Sequence, residues 1–218
     1  MLRAFAAALV LAAFSPSVLA DSDTQVWPSL TIHKKLEGGW RAFAEFQPRF
    51  GDGASEHQSS VYRFAIGRNV GRHLTLWGGY VSQPTFRPSA KAEDRYFVKA
   101  SVDSRQGLWS IANRTRMEMR QIQGTFGTTV RLRHQVKGTV KFPKMSPWYG
   151  VTSVETFVNL AGTATGPEPG FDQLRAVLGV GRPLSKNFTL EIGYQGVWVE
   201  TPRRRKLDVV LVSGNFSF

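Results

Sequence analysis

From Val26 to Phe218 the chain repeats its side-chain character every two residues, and charge is confined largely to one phase of that repeat. The clearest instance is Asn113-Arg114-Thr115-Arg116-Met117-Glu118-Met119-Arg120. In an extended strand, Arg114, Arg116, Glu118 and Arg120 share one side, while Asn113, Thr115, Met117 and Met119 share the other. On a helix the same charges would wind around the axis and leave no apolar stripe. The apolar phase recurs as Tyr62, Phe64 and Ile66; Leu74, Leu76 and Tyr80; Tyr96 and Val98; Leu132 and Val136; Leu174, Leu178 and Val180; and Leu190, Ile192 and Tyr194. The opposite phase gathers Arg41, Glu45, Arg63, Arg95, Lys99, Arg131, Arg133, Glu155, Arg175 and Glu191. A soluble barrel would turn this charged phase to water; a membrane barrel turns it inward.

Glycine, proline, asparagine and aspartate clusters divide the pattern into eleven candidate strands. They are Val26–Leu36, Trp40–Gln47, Ser59–Ile66, Leu74–Gln83, Arg95–Val102, Leu108–Arg120, Thr128–Phe142, Trp148–Leu160, Phe171–Val180, Phe188–Glu200 and Lys206–Phe218. Compact connections alternate with longer polar ones: Glu37–Gly39, Gly67–His73, Asp103–Gly107, Pro143–Pro147 and Gly181–Asn187 against Pro48–Gln58, Pro84–Asp94, Gln121–Gly127, Ala161–Gly170 and Thr201–Arg205. Short turns on one rim and longer loops on the other is the plan of an outer-membrane barrel. Bacterial single-chain barrels use even strand numbers. The expectation is therefore an all-β, transmembrane, antiparallel up-and-down β-barrel of 10 or 12 strands: either the first segment does not span, or a further element exists.

The start of the chain agrees with export. Met1-Leu2-Arg3 precedes an apolar run from Ala4 to Phe14, and Val18-Leu19-Ala20 supplies the residues a signal peptidase reads. Residues 1–20 are expected to be a cleaved signal peptide and residues 21–218 a single barrel domain. No later stretch approaches the ~18 apolar residues of a membrane helix, so a spanning fold must be a closed barrel. There are no cysteines, and Lys plus Arg outnumber Asp plus Glu by 28 to 16. That surplus favours anionic lipid or solute as a partner; nucleic acid is excluded as a partner by the absence of any recognition motif in an exported chain.

Trp40, Trp109, Trp148 and Trp198 lie near strand ends, as an aromatic girdle would place them. The last strand alternates to a terminal Phe218, which resembles the signal read by the outer-membrane barrel assembly machinery. Gly67–Tyr80 also aligns without gaps with Gly181–Tyr194, matching at six of fourteen positions, which reads as one hairpin design used twice.

The segments Asn113–Arg120, Arg131-Leu132-Arg133, Glu155–Leu160, Gly170–Arg175 and the pair Gly193-Tyr194 together resemble domain-of-unknown-function family 2490, in matching order and spacing over most of the mature chain. The resemblance implies an outer-membrane β-barrel and carries no activity, cofactor or site residue with it.

The residues singled out as an inward charge network, and as candidates for anion binding, are Arg63, Arg95, Arg114, Arg116, Glu118, Arg120, Arg131, Arg133, Glu155, Arg175 and Glu191. Ion pairs between them would fill a narrow barrel, while surplus guanidinium groups would suit a small anionic solute. The functional expectation is thus a narrow channel or binding barrel for small anions in the cell outer membrane. A structural barrel plugged by an Arg/Glu network and a lipid-modifying enzyme are the alternatives. Of the four histidines, only His57, with Glu56, Ser59 and Ser60, falls in a polar cluster, and its spacing fits no catalytic motif. No catalytic residue, metal ligand or cofactor is assigned. The run Arg203-Arg204-Arg205-Lys206 offers cations for lipopolysaccharide phosphates.

Overall fold

The computed structural model describes residues 21–200 and 204–218, with side chains from Asp23 onward in the first strand. The expected signal peptide, residues 1–20, lies outside the described residues. Eleven strands form one closed barrel: β1 Asp21–Lys35, β2 Trp40–Gly51, β3 Glu56–Val70, β4 Leu74–Thr85, β5 Lys91–Gln106, β6 Trp109–Ile122, β7 Thr129–Lys141, β8 Tyr149–Ala161, β9 Gly170–Pro183, β10 Phe188–Val199 and β11 Arg205–Ser217. The described residues contain no α-helix, only two short 3-10 turns at Glu37–Gly39 and Pro143–Met145. Period-two patterning accounts for this, because it leaves no segment a stripe of helical spacing.

The expectation of 10 or 12 strands is overturned. All eleven candidate segments belong to the wall, and the count stays odd because closure is not antiparallel. Sequential strands pair antiparallel, whereas β1 and β11 run parallel in register from Asp21↔Arg205 to His33↔Ser217. An odd meander brings its first and last strands together pointing the same way. A parallel ladder satisfies their backbone groups with slanted bonds and leaves no free edge. Ser29 Oγ donates to Ser213 Oγ at 2.9 Å across this seam. The C-terminal residue is tied in by Lys35 N–H to the Phe218 carbonyl and by Phe218 N–H to the His33 carbonyl, each 2.9 Å.

Five connections and Phe218 gather at one end, here the turn rim; the other five and Asp21 lie at the loop rim. The two sets are those expected from sequence, but the loop-rim connections are shorter. The segment Pro48–Gln58 reduces to a four-residue turn, 52–55, in which Asp52, Gly53 and Ala54 all take positive φ. Pro48, read as a strand stop, lies inside β2, beside the bulge between Arg49 and Phe50. Bulges are among the places where a sheet accepts proline.

The outer wall is apolar. Phe64, Ile66, Leu76, Val98, Met117, Leu178 and Ile192 are all exposed. Trp40, Trp109 and Trp148 are exposed at the turn rim. Trp198 departs from the expected girdle: it is half-buried near the loop-rim end of β10, its ring lying over Gly196. Tyrosines mark that side instead. Tyr80 donates its hydroxyl to Asp94, and Tyr194 does the same to Asp208. The two hairpins that echo each other in sequence therefore share a tyrosine–aspartate pair on the next strand.

The inward face is not purely charged. Val61, Ala65, Trp77, Val81 and Phe97 form one buried cluster with Phe43 against it, and Trp27, Val197, Leu207 and Val209 form a second beside the seam. Since the chain has no cysteine, the seam can be tested by cross-linking. A Ser29→Cys, Ser213→Cys double variant should oxidise to an intramolecular disulfide in the folded barrel. A folded protein that gives no cross-link at this pair would contradict the parallel seam.

Candidate functional site

The inward phase of β2–β9 carries charge at spacings of two residues, which stacks ionic side chains in layers down the interior. The deepest layer centres on Glu118, which is 0% exposed. Its Oε1 accepts from Arg116 Nη1 at 3.2 Å and Arg133 Nη1 at 2.9 Å; its Oε2 accepts from Arg131 Nη2 at 2.7 Å and Nε at 3.1 Å. Arg133 also forks onto Glu155 Oε1 through Nε (3.0 Å) and Nη2 (2.8 Å), while Arg131 reaches Asp172 at 3.2 Å. A second acid, Glu93, accepts from Arg95 at 2.7 Å and Arg120 at 2.6 Å. Glu45 takes Arg63 at 2.7 Å. Two or more hydrogen bonds to each of Glu118, Glu93 and Glu155 offset much of the desolvation that burial imposes.

Aromatic rings face the same interior and receive the flat faces of the cations. The Phe157 ring, 1% exposed, lies under Arg133 (4.4 Å), Arg175 (4.7 Å) and Arg131 (5.3 Å). Arg116 sits 4.6 Å over Phe97 and Lys99 sits 4.4 Å over Trp77. Guanidinium stacking on rings supplements the ion pairs where acids are too few. The apolar cluster around Phe97 adjoins the Glu118 layer, Phe97 and Glu118 being register partners on β5 and β6, and together they fill the waist.

Two cavities lie on either side of this waist. The one toward the loop rim measures about 570 Å³ and is lined by nine arginines, with Asp23, Glu93 and Asp172 as its only carboxylates among the described residues. The other, about 540 Å³, opens toward the turn rim past Arg41, Arg72, Arg114 and Lys137. Glu191 borders this end, taking Lys137 at 2.8 Å and the Tyr149 hydroxyl at 3.0 Å.

In the loop-rim cavity, Arg49 and Arg175 have no ion pair among the described residues. Each instead leans on a glutamine two positions earlier on its own strand. Gln47 Oε1 accepts from Arg49 Nε at 3.2 Å and Nη2 at 3.1 Å. The Gln173 amide oxygen, in the orientation that satisfies both groups, lies 3.0 Å from Arg175 Nε and 3.2 Å from Nη2. Both guanidinium groups also lie over the Trp27 ring, at 4.0 and 5.3 Å. Trp27 is itself buried and donates to Gln25 at 2.7 Å. Neutral supports fix the position of these two charges, and Glu155, the cross-strand neighbour of Arg175, is itself bonded to Arg133.

A family model described as a protein of unknown function, DUF2490, matches residues 24–208. The chain belongs to the DUF2490 family. An uncharacterized protein of Methylorubrum extorquens is 33% identical over 201 residues, covering 88% of this chain and 86% of that protein. No solved structure matches the chain.

Within this DUF2490 barrel the residues selected from sequence do not form one site. Arg63, Arg95, Arg120, Arg131, Arg133 and Arg175 line the loop-rim cavity. Arg116, Glu118 and Glu155 join the waist through their ion pairs, whereas Arg114 and Glu191 belong to the turn-rim end. Parity reasoning missed Arg49 and Glu93, which lay in segments read as loops, and Asp172, which should face outward. A bulge between Phe157 and Val158 shifts the β8–β9 register, and Asp172 is turned in and buried. The inward rings Trp27, Phe97 and Phe157 were also passed over, although each stands in the charged phase.

His57 and Ser60 come within 3.0 Å, but on the strand β3 rather than in a loop, with the His57 ring packed against Phe50 and Phe86. No carboxylate is bonded to that imidazole among the described residues. In the basic run, Arg203 lies outside the described residues, Arg204 pairs with Glu200 at 2.8 Å and Lys206 pairs with Asp208 at 3.0 Å.

Removing the carboxylate of Glu118 leaves three buried guanidinium groups short of an acid, a change worth about 3–5 kcal/mol for a buried pair. Glu118→Ala should lower the urea unfolding midpoint of the folded barrel well below that of Glu45→Ala, whose single partner is Arg63. Equal midpoints would contradict the central place given to Glu118.

Proposed function

We propose that this DUF2490 protein is an outer-membrane barrel that binds a small anionic solute in its loop-rim cavity. The observation that carries the reading is the pair Arg49 and Arg175, each held by a glutamine, stacked on one indole and without an ion pair among the described residues, inside a cavity of about 570 Å³. Paired guanidinium forks suit a carboxylate or phosphate, which they can engage bidentately. The filled waist favours a binding barrel over free passage, because Glu118 and Phe157 are almost wholly excluded from solvent there.

Support for the membrane setting comes from the outer wall. Large apolar side chains cover it, tryptophans edge the turn rim, and the tyrosine–aspartate pairs lie toward the loop rim. A contiguous apolar surface of that extent is unusual on a soluble monomer. The strands, 12 to 16 residues long, exceed the ~9–11 residues a tilted membrane strand needs. In this reading lipopolysaccharide meets the loop rim, and the barrel assembly machinery engages the strand ending at Phe218.

Two measurements test the proposal. Fractionation should find the protein in the detergent-soluble envelope with heat-modifiable migration on a denaturing gel, and Leu178→Arg should cost roughly 2–4 kcal/mol if that position faces the membrane midplane. Release by osmotic shock alone would overturn the membrane setting. Titration of the folded barrel with citrate should quench Trp27 fluorescence, in a variant lacking the other tryptophans near the rims. Arg49→Gln, Arg175→Gln should weaken that binding at least tenfold without changing heat modifiability. Unchanged binding in the double variant would overturn the assignment of the cavity.

A further inference from the structure

Gly78 is unlike the other strand glycines. A Cβ added at Gly79 would meet the Phe97 ring and the Phe64 carbonyl within 3 Å, and one at Gly67 would strike the Trp77 ring. Packing requires those glycines. At Gly78 an added Cβ meets nothing within 4 Å, and the backbone is not in the left-handed region. Neither packing nor conformation calls for glycine there. Its effect is to leave the outer wall hollow.

Two apolar depressions lie on that wall and share Ile66 and Gly78. One, about 530 Å³, runs past Ala42, Ala44, Phe64 and Tyr96 and includes Lys34. The other, about 500 Å³, runs past Leu76, Val98, Ala100 and Met117 and includes Trp40 and Arg68. Small residues form their floors and bulky ones their sides. Lys34 and Arg68 stand near the turn-rim ends of β1 and β3. Neither cation has an ion pair among the described residues; the Lys34 ammonium rests 5.6 Å over the Phe218 ring and the Arg68 guanidinium 5.5 Å over Trp40. They lie two strands and two residues apart in register, roughly 12 Å between Cα atoms by strand spacing and rise. Two long side chains can close on one phosphate across that gap.

We propose that the outer wall over β1–β6 holds one anionic glycerophospholipid, its two acyl chains astride Ile66 and its phosphate between Lys34 and Arg68. The inference rests on the membrane setting proposed above. Charge decides the occupant: a neutral chain would need the hollows alone, whereas paired cations at their mouths select an anionic headgroup. The turn-rim location, beside the terminal Phe218, selects a phospholipid rather than the lipopolysaccharide expected at the loop rim.

The test is native mass spectrometry of the detergent-solubilised, delipidated barrel with phosphatidylglycerol or phosphatidylethanolamine of identical chains. One phosphatidylglycerol should be retained per barrel, at least tenfold more tightly than phosphatidylethanolamine. Lys34→Gln, Arg68→Gln should abolish the preference, and Gly78→Leu, which fills the shared floor, should release both lipids. Heat-modifiable migration of each variant reports folding separately, and envelope fractionation reports the membrane setting independently of lipid choice. Equal retention of the two lipids by the wild-type barrel, retention unaffected by Gly78→Leu, or displacement of phosphatidylglycerol by lipopolysaccharide would overturn the proposal.

Discussion

Glu118 is the residue around which the interior is arranged. It has no exposure to solvent and takes hydrogen bonds from Arg116, Arg131 and Arg133, each of which is then shared with another acid or an aromatic ring. A carboxylate buried in this way is tolerable only because several charge-assisted donors replace the water it loses. The arginines benefit reciprocally, since without the acid they would repel one another across a narrow barrel. The network therefore ties together four consecutive strands, since β6 supplies Arg116 and Glu118, β7 supplies Arg131 and Arg133, β8 supplies Glu155 and β9 supplies Asp172.

The odd strand count fits the same logic. Charge pairing is concentrated on β5–β9, while the parallel seam between β1 and β11 is lined inside by Trp27, Val197, Leu207 and Val209. Parallel pairing is slightly weaker per residue than antiparallel pairing, and an apolar lining gives that seam an additional source of cohesion. The barrel thus divides by sector, ionic over β5–β9 and apolar both at its closure and around Trp77 on β2–β5. Arg49 of β2 and Arg175 of β9 meet at the seam, over the Trp27 ring.

Much of this was readable from residue parity alone. The alternation at Asn113–Arg120 identifies both faces of β6, and Tyr96, Val98, Leu178 and Ile192 stand outward as their phase requires. What parity could not supply was any residue whose facing depends on an irregularity. Asp172 turns inward through a bulge; Arg49 instead keeps the inward parity of Arg41 and Glu45 and escaped notice because β2 continues past Pro48. The strand number failed for a different reason: evenness follows from assuming antiparallel closure, and nothing in the local pattern distinguishes a parallel seam. The aromatic rings inside were visible in the charged phase, Phe97 between Arg95 and Lys99 and Phe157 two residues past Glu155.

The interior is a cup with a filled floor, cationic at its loop-rim mouth, rather than a tube. Ion conductance of the purified wild-type barrel in a planar bilayer tests this most directly. A filled waist predicts membranes that contain folded, heat-modifiable protein yet pass no steady current under either polarity. A steady ohmic conductance from the same preparation, selective for anions or not, would contradict it, because ions would then be crossing the layer that Glu118 and its arginines occupy.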